Sequence, residues 1–189
     1  TALVHTVNAN AYKHDTEDTA VNRPLTVAVA SNFKYTLEQI IASSDYWSTQ
    51  NVRLVTGSSG MLYAQIMKGA PFDVFLSADT LRPNRLVQAG LGKNAQVYAL
   101  GRLVLWPLLP SGISVDDALN LRRGFLANLT NFKGKLAIAN PQLAPFGKAA
   151  LEAIKSAPAL HYLTDQLVKG TNINQAFQFV DSGNAQAGI

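Results

Sequence analysis

The chain has 189 residues, 48% of them hydrophobic and 15% charged, with a formal net charge of +4 and no cysteine. That length allows one domain or two small lobes with a packed core, and the lack of cysteine excludes a disulfide framework, a thiolate metal site and a cysteine nucleophile. The basic residues are scattered, with Arg122-Arg123 the sole adjacent pair, so the excess reads as solvated surface that mildly steers anions, not as a nucleic-acid footprint. Residues 1–23 read as a polar, disordered lead. Within it Thr1 to Val7 is mildly apolar and Ala9-Asn10-Ala11 has the small-x-small form of a signal-peptidase site, as in the remnant of an export signal. No run approaches the roughly 20 apolar residues that span a bilayer.

After Pro24, Leu25-Thr26-Val27-Ala28-Val29-Ala30 predicts a buried parallel strand, and Ser31-Asn32 hands over to Phe33, Leu37, Ile40 and Ile41 at helical spacing. The same grammar is repeated: strand Val52 to Val55, loop Gly57-Ser58-Ser59-Gly60, then a helix Met61 to Met67 carrying Leu62, Ile66 and Met67 and stopping at Gly69. Phe72 to Ser77 predicts a third strand, with Asp79 or Thr80 capping a helix that holds Leu81, Leu86 and Val87. Leu100 to Trp106 predicts a further strand, followed by a break at Pro107 to Gly112 and a polar helix around Val115 to Leu129. Strand Leu136 to Ala139, turn Asn140 to Gly147 and a helix from Lys148 to about Lys155 come next. Gly170-Thr171-Asn172 opens a helix with Ile173, Ala176, Phe177 and Val180 on one core-facing stripe, and Ala185 to Ile189 reads as a strand just starting. Alternating strands and helices of this length imply an α/β fold with a parallel sheet and right-handed crossovers.

Four junctions lead into helices through short polar or small residues: Ser31-Asn32, Ser58-Ser59, Pro145-Phe146-Gly147 and Thr171-Asn172-Ile173. The first N–H groups of a helix lack intrahelical partners and carry the positive end of its dipole, so each junction can hold an anion. None contributes a carboxylate. A fully deprotonated anion needs only donors, whereas one retaining a proton also needs an acceptor, so the pattern favours a dianionic tetrahedral oxyanion. The competing reading makes Ser59 a plain helix cap and Gly57 a plain turn. His5, His14 and His161 lie in unrelated contexts, and the Gly57 to Gly60 loop is neither a nucleophile elbow nor a P-loop, so no catalytic or metal centre is expected.

Val27-Ala28-Val29-Ala30-Ser31-Asn32-Phe33, Gly57-Ser58-Ser59-Gly60 with Gln65-Ile66, the run Gly69 to Asp79, and Asn140-Pro141 with Ala144-Pro145-Phe146-Gly147 together resemble the periplasmic molybdate-binding protein family, in order and spacing from about Leu25 to Ile189. The resemblance implies a non-enzymatic substrate-binding component of an ABC importer. It also implies a type II periplasmic-binding-protein fold: two lobes, with a ligand cleft between them. On this reading residues 24–104 form lobe 1 and residues 105–189 lobe 2, ending at the expected crossover back to lobe 1, whose C-terminal part would be missing. The family's oxyanion contacts fall on Ser31 and Ser59 through hydroxyl and backbone N–H, and on the backbone N–H groups of Phe146 and Ile173. Asn32 matches a subgroup in which an asparagine side chain also donates. The implied ligand is molybdate or tungstate, with no cofactor, no protein ligand to the metal itself, a periplasmic location, an inner-membrane ABC permease as partner, no nucleic acid, and a monomeric state. A binder of sulfate or another tetrahedral anion, and the effector-sensing domain of a regulator, are the alternatives. Ser58 and Gly60 are expected to shape the loop, Asp73 and Asp79 to serve as strand-end partner and cap, and Lys34 and Lys148 to raise anion concentration at the rim. Tyr35, Tyr63 and Phe177 are expected in the core. Ser59→Ala is expected to weaken oxyanion binding much more than it destabilises the fold.

Overall fold

Strand identity in this chain is set locally by runs of β-branched and small apolar residues, and helix starts by the polar residues that come after them. The computed structural model describes the backbone of residues 2–8, together with residues 23–109, residue 116 and residues 132–189. The chain divides into two units, Thr1–Gly101 and Arg102–Ile189, each with its own sheet.

The first unit holds strands β1 (Ala2–Asn8), β2 (Leu25–Ala30), β3 (Val52–Gly57), β4 (Val74–Ser77) and β5 (Lys93–Gly101) in the order β3-β2-β4-β1-β5. Helices α1 (Lys34–Ser43), α2 (Ser59–Met67) and α3 (Leu81–Gln88) connect them. Strand β2 runs parallel to β3 and β4, whereas β1 is antiparallel to β4 and β5, so the sheet is mixed and not purely parallel. Alternation along β2 sends Ala28 to one face, where it packs with Leu62, Ile66, Phe72, Phe75 and Leu86, and Val27 and Val29 to the other, with Leu76. Fully burying Phe75 or Leu62 contributes about 1.5–3 kcal/mol each.

Three sequence expectations need correction here. Residues 2–8 of the polar lead form a strand, because a segment inserted between β4 and β5 satisfies the facing backbone groups of both. Helix α1 buries no residue, with Ile40 48% exposed and Tyr35 73% exposed. Periodicity gives the direction a helix face points, while burial depends on what is stacked against it. The strand expected over Leu100 to Trp106 is instead β5, ending at Gly101, with residues 102–105 outside any strand.

The second unit holds β6 (Trp106–Pro107), β7 (Leu136–Ala139), β8 (Leu167–Gly170) and β9 (Ala187–Gly188), in the order β6-β9-β7-β8, with helices α4 (Pro145–Ser156) and α5 (Ile173–Asp181). Strand β7 is parallel to β8 and β9, and β6 is antiparallel to β9. All four residues of β7 are buried: Leu136 packs with Ile154 and Leu163 on one face, and Ala137 with Ala176 and Val180 on the other. The expected stripe on α5 holds at Ile173, which packs against this cluster, and fails at Phe177. Ala176 and Val180 are core, but Phe177 is 54% exposed and leans on Trp106 with ring centroids 6.2 Å apart. The sequence features at Ala9-Asn10-Ala11, Arg122-Arg123 and, apart from residue 116, the polar helix around Val115 to Leu129 lie outside the described residues.

Candidate functional site

In the first unit the carboxyl ends of β3, β2 and β4 are neighbours, with Ala30 opposite Gly57 and Val29 opposite Leu76. Just beyond them the chain enters a 3-10 turn at Ser31–Phe33, helix α2 at Ser59, and the turn at Ala78. Hydroxyls stitch these ends together. Ser31 Oγ donates to the Gly57 carbonyl at 3.0 Å, and Ser59 Oγ accepts from the Ala78 N–H at 2.9 Å, both within buried surroundings. A hydroxyl has one proton and two lone pairs. The proton of Ser31 is therefore engaged by Gly57, while that of Ser59 remains available to a ligand. The N-cap of α2 is Ser58, whose Oγ accepts from Met61 N–H at 3.4 Å, so the capping reading of Ser59 moves by one residue. Asn32 is half-buried, and its amide has no hydrogen-bond partner among the described residues.

The second unit reaches a similar arrangement with less side-chain chemistry. Strands β7 and β8 end side by side, Ala139 opposite Gly170, and Asn140 N–H donates to the Gly170 carbonyl at 2.6 Å. Helix α4 starts at Pro145 from Ala144 with no side-chain cap, so the N–H groups of Phe146 and Gly147 are left without intrahelical partners. Gly147 sits directly on the end of β7: a Cβ there would lie 1.9 Å from the Ala139 carbonyl oxygen. Helix α5 is capped by Asn172, whose Oδ1 accepts from Gln175 N–H at 3.1 Å, while Gln175 Oε1 accepts from Thr171 N–H at 2.6 Å. That leaves Ile173, the first residue of α5, among the unpaired donors. A Cβ on Gly170 would lie 2.7 Å from Ala176 N, so this glycine lets the start of α5 close down on the end of β8.

The charged side chains flanking these elements are already engaged, Asp73 at the amino ends of β2 and β4 and Asp79 just past the carboxyl end of β4. Asp73 accepts from Thr26 N–H at 2.8 Å and pairs with Arg23. Burial pushes its carboxyl up, but the Arg23 hydrogen bond, the Thr26 N–H and the Arg23 charge outweigh this and hold it below the usual carboxylate range. Asp79 accepts from Arg82 N–H at 3.0 Å in the first turn of α3 and pairs with the Arg82 guanidinium, so although Thr80 holds the N-cap position, the side chain that caps α3 is that of Asp79. Lys34 and Lys148 each face a glutamate one turn on, Glu38 at 3.4 Å and Glu152 at 3.8 Å, which damps the steering expected of them. Among the described residues, no group of three or more His, Asp or Glu side chains could hold a metal ion.

The profile of the family described as bacterial extracellular solute-binding protein matches residues 25–189. The chain belongs to that family. Two of its relatives, each named molybdate-binding protein ModA, are 38% identical: the one from Rhodobacter capsulatus over 164 residues and the one from Azotobacter vinelandii over 165, in each case 86% of this chain. The chain spans 62% of the length of these relatives. In three dimensions it is similar to the Azotobacter vinelandii periplasmic molybdate-binding protein, with a TM-score of 0.68 and 32% identity over 87% of this chain and 69% of that one.

In this solute-binding protein, the five residues singled out from sequence divide between the units. Ser31, Asn32 and Ser59 gather at the strand ends of the first, and Phe146 and Ile173 at the adjoining ends of β7 and β8 in the second. Sequence reasoning missed three partners that hold the corners: the Gly57 carbonyl, the Ala78 N–H and the close approach at Gly147. Ala78 and Gly147 lie inside the runs that carry the family resemblance, but a backbone group or an absent side chain leaves no signature of its own role. Sequence reasoning also undervalued Ser59 as a structural residue. Because its oxygen satisfies a buried N–H, losing the hydroxyl costs the fold roughly 1–3 kcal/mol, comparable to the effect expected on binding.

Proposed function

We propose that this chain captures a tetrahedral dianion, molybdate or tungstate, in the periplasm and delivers it as a monomer to an inner-membrane ABC permease, using a type II periplasmic-binding-protein fold. The reading rests on the four helix starts: each offers backbone N–H or hydroxyl donors, and the nearby Asp79 carboxylate is occupied by Arg82. The names of the relatives at 38% identity support the same ligand. The contacts proposed are the backbone N–H groups of Ser31, Phe146 and Ile173, the Asn32 amide, and Ser59 through hydroxyl and N–H. The Ser31 hydroxyl joins them only by leaving the Gly57 carbonyl.

Neutral donors suit this cargo. Desolvating a dianion is tolerable when its oxygens are paired, and dipoles bind it without adding a counter-charge that would slow release. Donors spaced for a large tetrahedron cannot all reach a smaller one, so sulfate is discriminated against by size. Calorimetry with molybdate, tungstate, sulfate and phosphate tests the proposal. The expected result is molybdate and tungstate binding about 100-fold tighter than sulfate, equivalent to ~2.7 kcal/mol. Sulfate binding as tightly as molybdate would replace the reading with that of a sulfate binder.

A further inference from the structure

An anion site that keeps a carboxylate beside one of its donors raises a question of charge. Ser59 Oγ is held by Ala78 N–H at 2.9 Å, and the next residue is Asp79. With consecutive Cα atoms 3.8 Å apart, the Asp79 carboxylate lies within about 10 Å of the Ser59 hydroxyl. Both of its oxygens are engaged: Oδ1 accepts from Arg82 N–H at 3.0 Å and from the Ser77 hydroxyl at 3.3 Å, and Oδ2 meets the Arg82 guanidinium. The Asp79 N–H in turn donates to Ser77 Oγ at 3.3 Å. Both side chains of the pair are mostly shielded, at 19% and 17% exposure, so water screens them weakly.

Asp79 has a structural reason to be there. It caps α3, where a negative charge favours the first turn. The same charge opposes a dianion at Ser59. We propose that Arg82 is an affinity-determining residue that masks the Asp79 carboxylate, so that α3 keeps its acidic cap while the neighbouring donor corner keeps its attraction for an anion. The guanidinium acts through Asp79 and does not touch the ligand. This inference rests on the oxyanion reading above.

Unmasking one negative charge about 10 Å from a dianion, at an effective dielectric between those of protein and water, weakens binding roughly tenfold. The test is molybdate titration calorimetry on the unaltered chain and on the variants R82A, R82K, D79N and D79N/R82A, at about 0.01 M and about 0.2 M salt, with thermal melts in parallel. R82A is expected to bind about tenfold more weakly at low salt and to recover part of that loss at high salt, because removing the guanidinium opens Asp79 to solvent and ions. R82K keeps the charge and is expected to stay near the unaltered affinity. D79N is expected to bind at least as tightly as the unaltered chain, and D79N/R82A to regain the affinity that R82A loses. The inference is overturned if R82A binds like the unaltered chain, if its loss is the same at both salt concentrations, or if the double variant binds as weakly as R82A. Should R82A fail to melt cooperatively, D79N decides alone, since weaker binding by D79N has no place in a masking role. No molybdate binding by the unaltered chain would overturn the oxyanion reading itself, an outcome distinct from any difference among the variants.

Discussion

In the first unit hydroxyls tie the strand ends together, Ser31 to Gly57 and Ser59 to Ala78, whereas in the second the same closeness comes from Gly147 and Gly170, whose missing side chains admit backbone. The two designs fail differently. A hydroxyl corner loses one hydrogen bond when trimmed and keeps its shape. A glycine corner loses its shape when anything is added, because the atoms in the way are main-chain and cannot rotate aside. Side-chain chemistry therefore carries the first unit's donors, and steric absence carries the second's.

The comparison can be broken most forcefully at Gly147. Gly147→Ala places a Cβ 1.9 Å from the Ala139 carbonyl oxygen, and about 3 kcal/mol or more of destabilisation is expected, read as a lower urea midpoint. A midpoint unchanged within error would show that α4 can shift away from β7. Gly170→Ala should cost less, about 1–3 kcal/mol, since its nearest atom is Ala176 N at 2.7 Å.

The serine corners come next. Ser59→Ala removes an available donor and orphans the Ala78 N–H, so both molybdate affinity, about 10- to 100-fold, and stability, roughly 1–3 kcal/mol, should fall. Ser31→Ala frees only the Gly57 carbonyl, which retains a second lone pair, and a loss of about 0.5–1.5 kcal/mol is expected with a smaller effect on affinity. Affinity losses in the reverse order would mean that the Ser31 hydroxyl turns to the ligand and Ser59 is the structural member. Phe146→Leu and Ile173→Val should leave affinity within about threefold, because the proposed donors there are backbone N–H groups. A large loss from either would move the contact to the side chain.

Acid offers the mildest test. The folded-state pKa of Asp73 is depressed by Arg23 and the Thr26 N–H, so its contribution to the first unit is complete above about pH 4 and is lost as pH falls through the lower folded value. Asp73→Asn should remove that part of the acid dependence from a pH series of thermal melts, and an unaltered acid limb would assign it to other carboxylates.

Much of this molecule was legible in its residues. The runs Leu25 to Ala30, Val52 to Val55 and Leu136 to Ala139 declare strands because β-branched and small apolar residues suit a sheet covered on both faces, and all three form them. Asn172 declares a helix start because a short polar side chain can satisfy an N–H of the first turn, and at α2 the serine pair declares one too, although the cap is Ser58 and not Ser59. The five candidate site residues come from the family resemblance, carried residue by residue onto these junctions.

Other features depend on partners far away in the chain. That Ala2–Asn8 is a strand is due to the two edges of β4 and β5 that it joins, not to its own composition. That Tyr35 and Phe177 are exposed reflects how little is stacked against those faces of their helices, which periodicity does not encode. The division of labour between Ser31 and Ser59 is decided by which backbone group stands opposite each, a carbonyl for one and an N–H for the other. Sequence alone determined the strand-to-helix junctions and their donor character, because those are properties of neighbouring residues. Only the tertiary structure decided which hydroxyl proton is available, which glycine is indispensable and which carboxylate is masked, because each is settled by an atom brought close through folding.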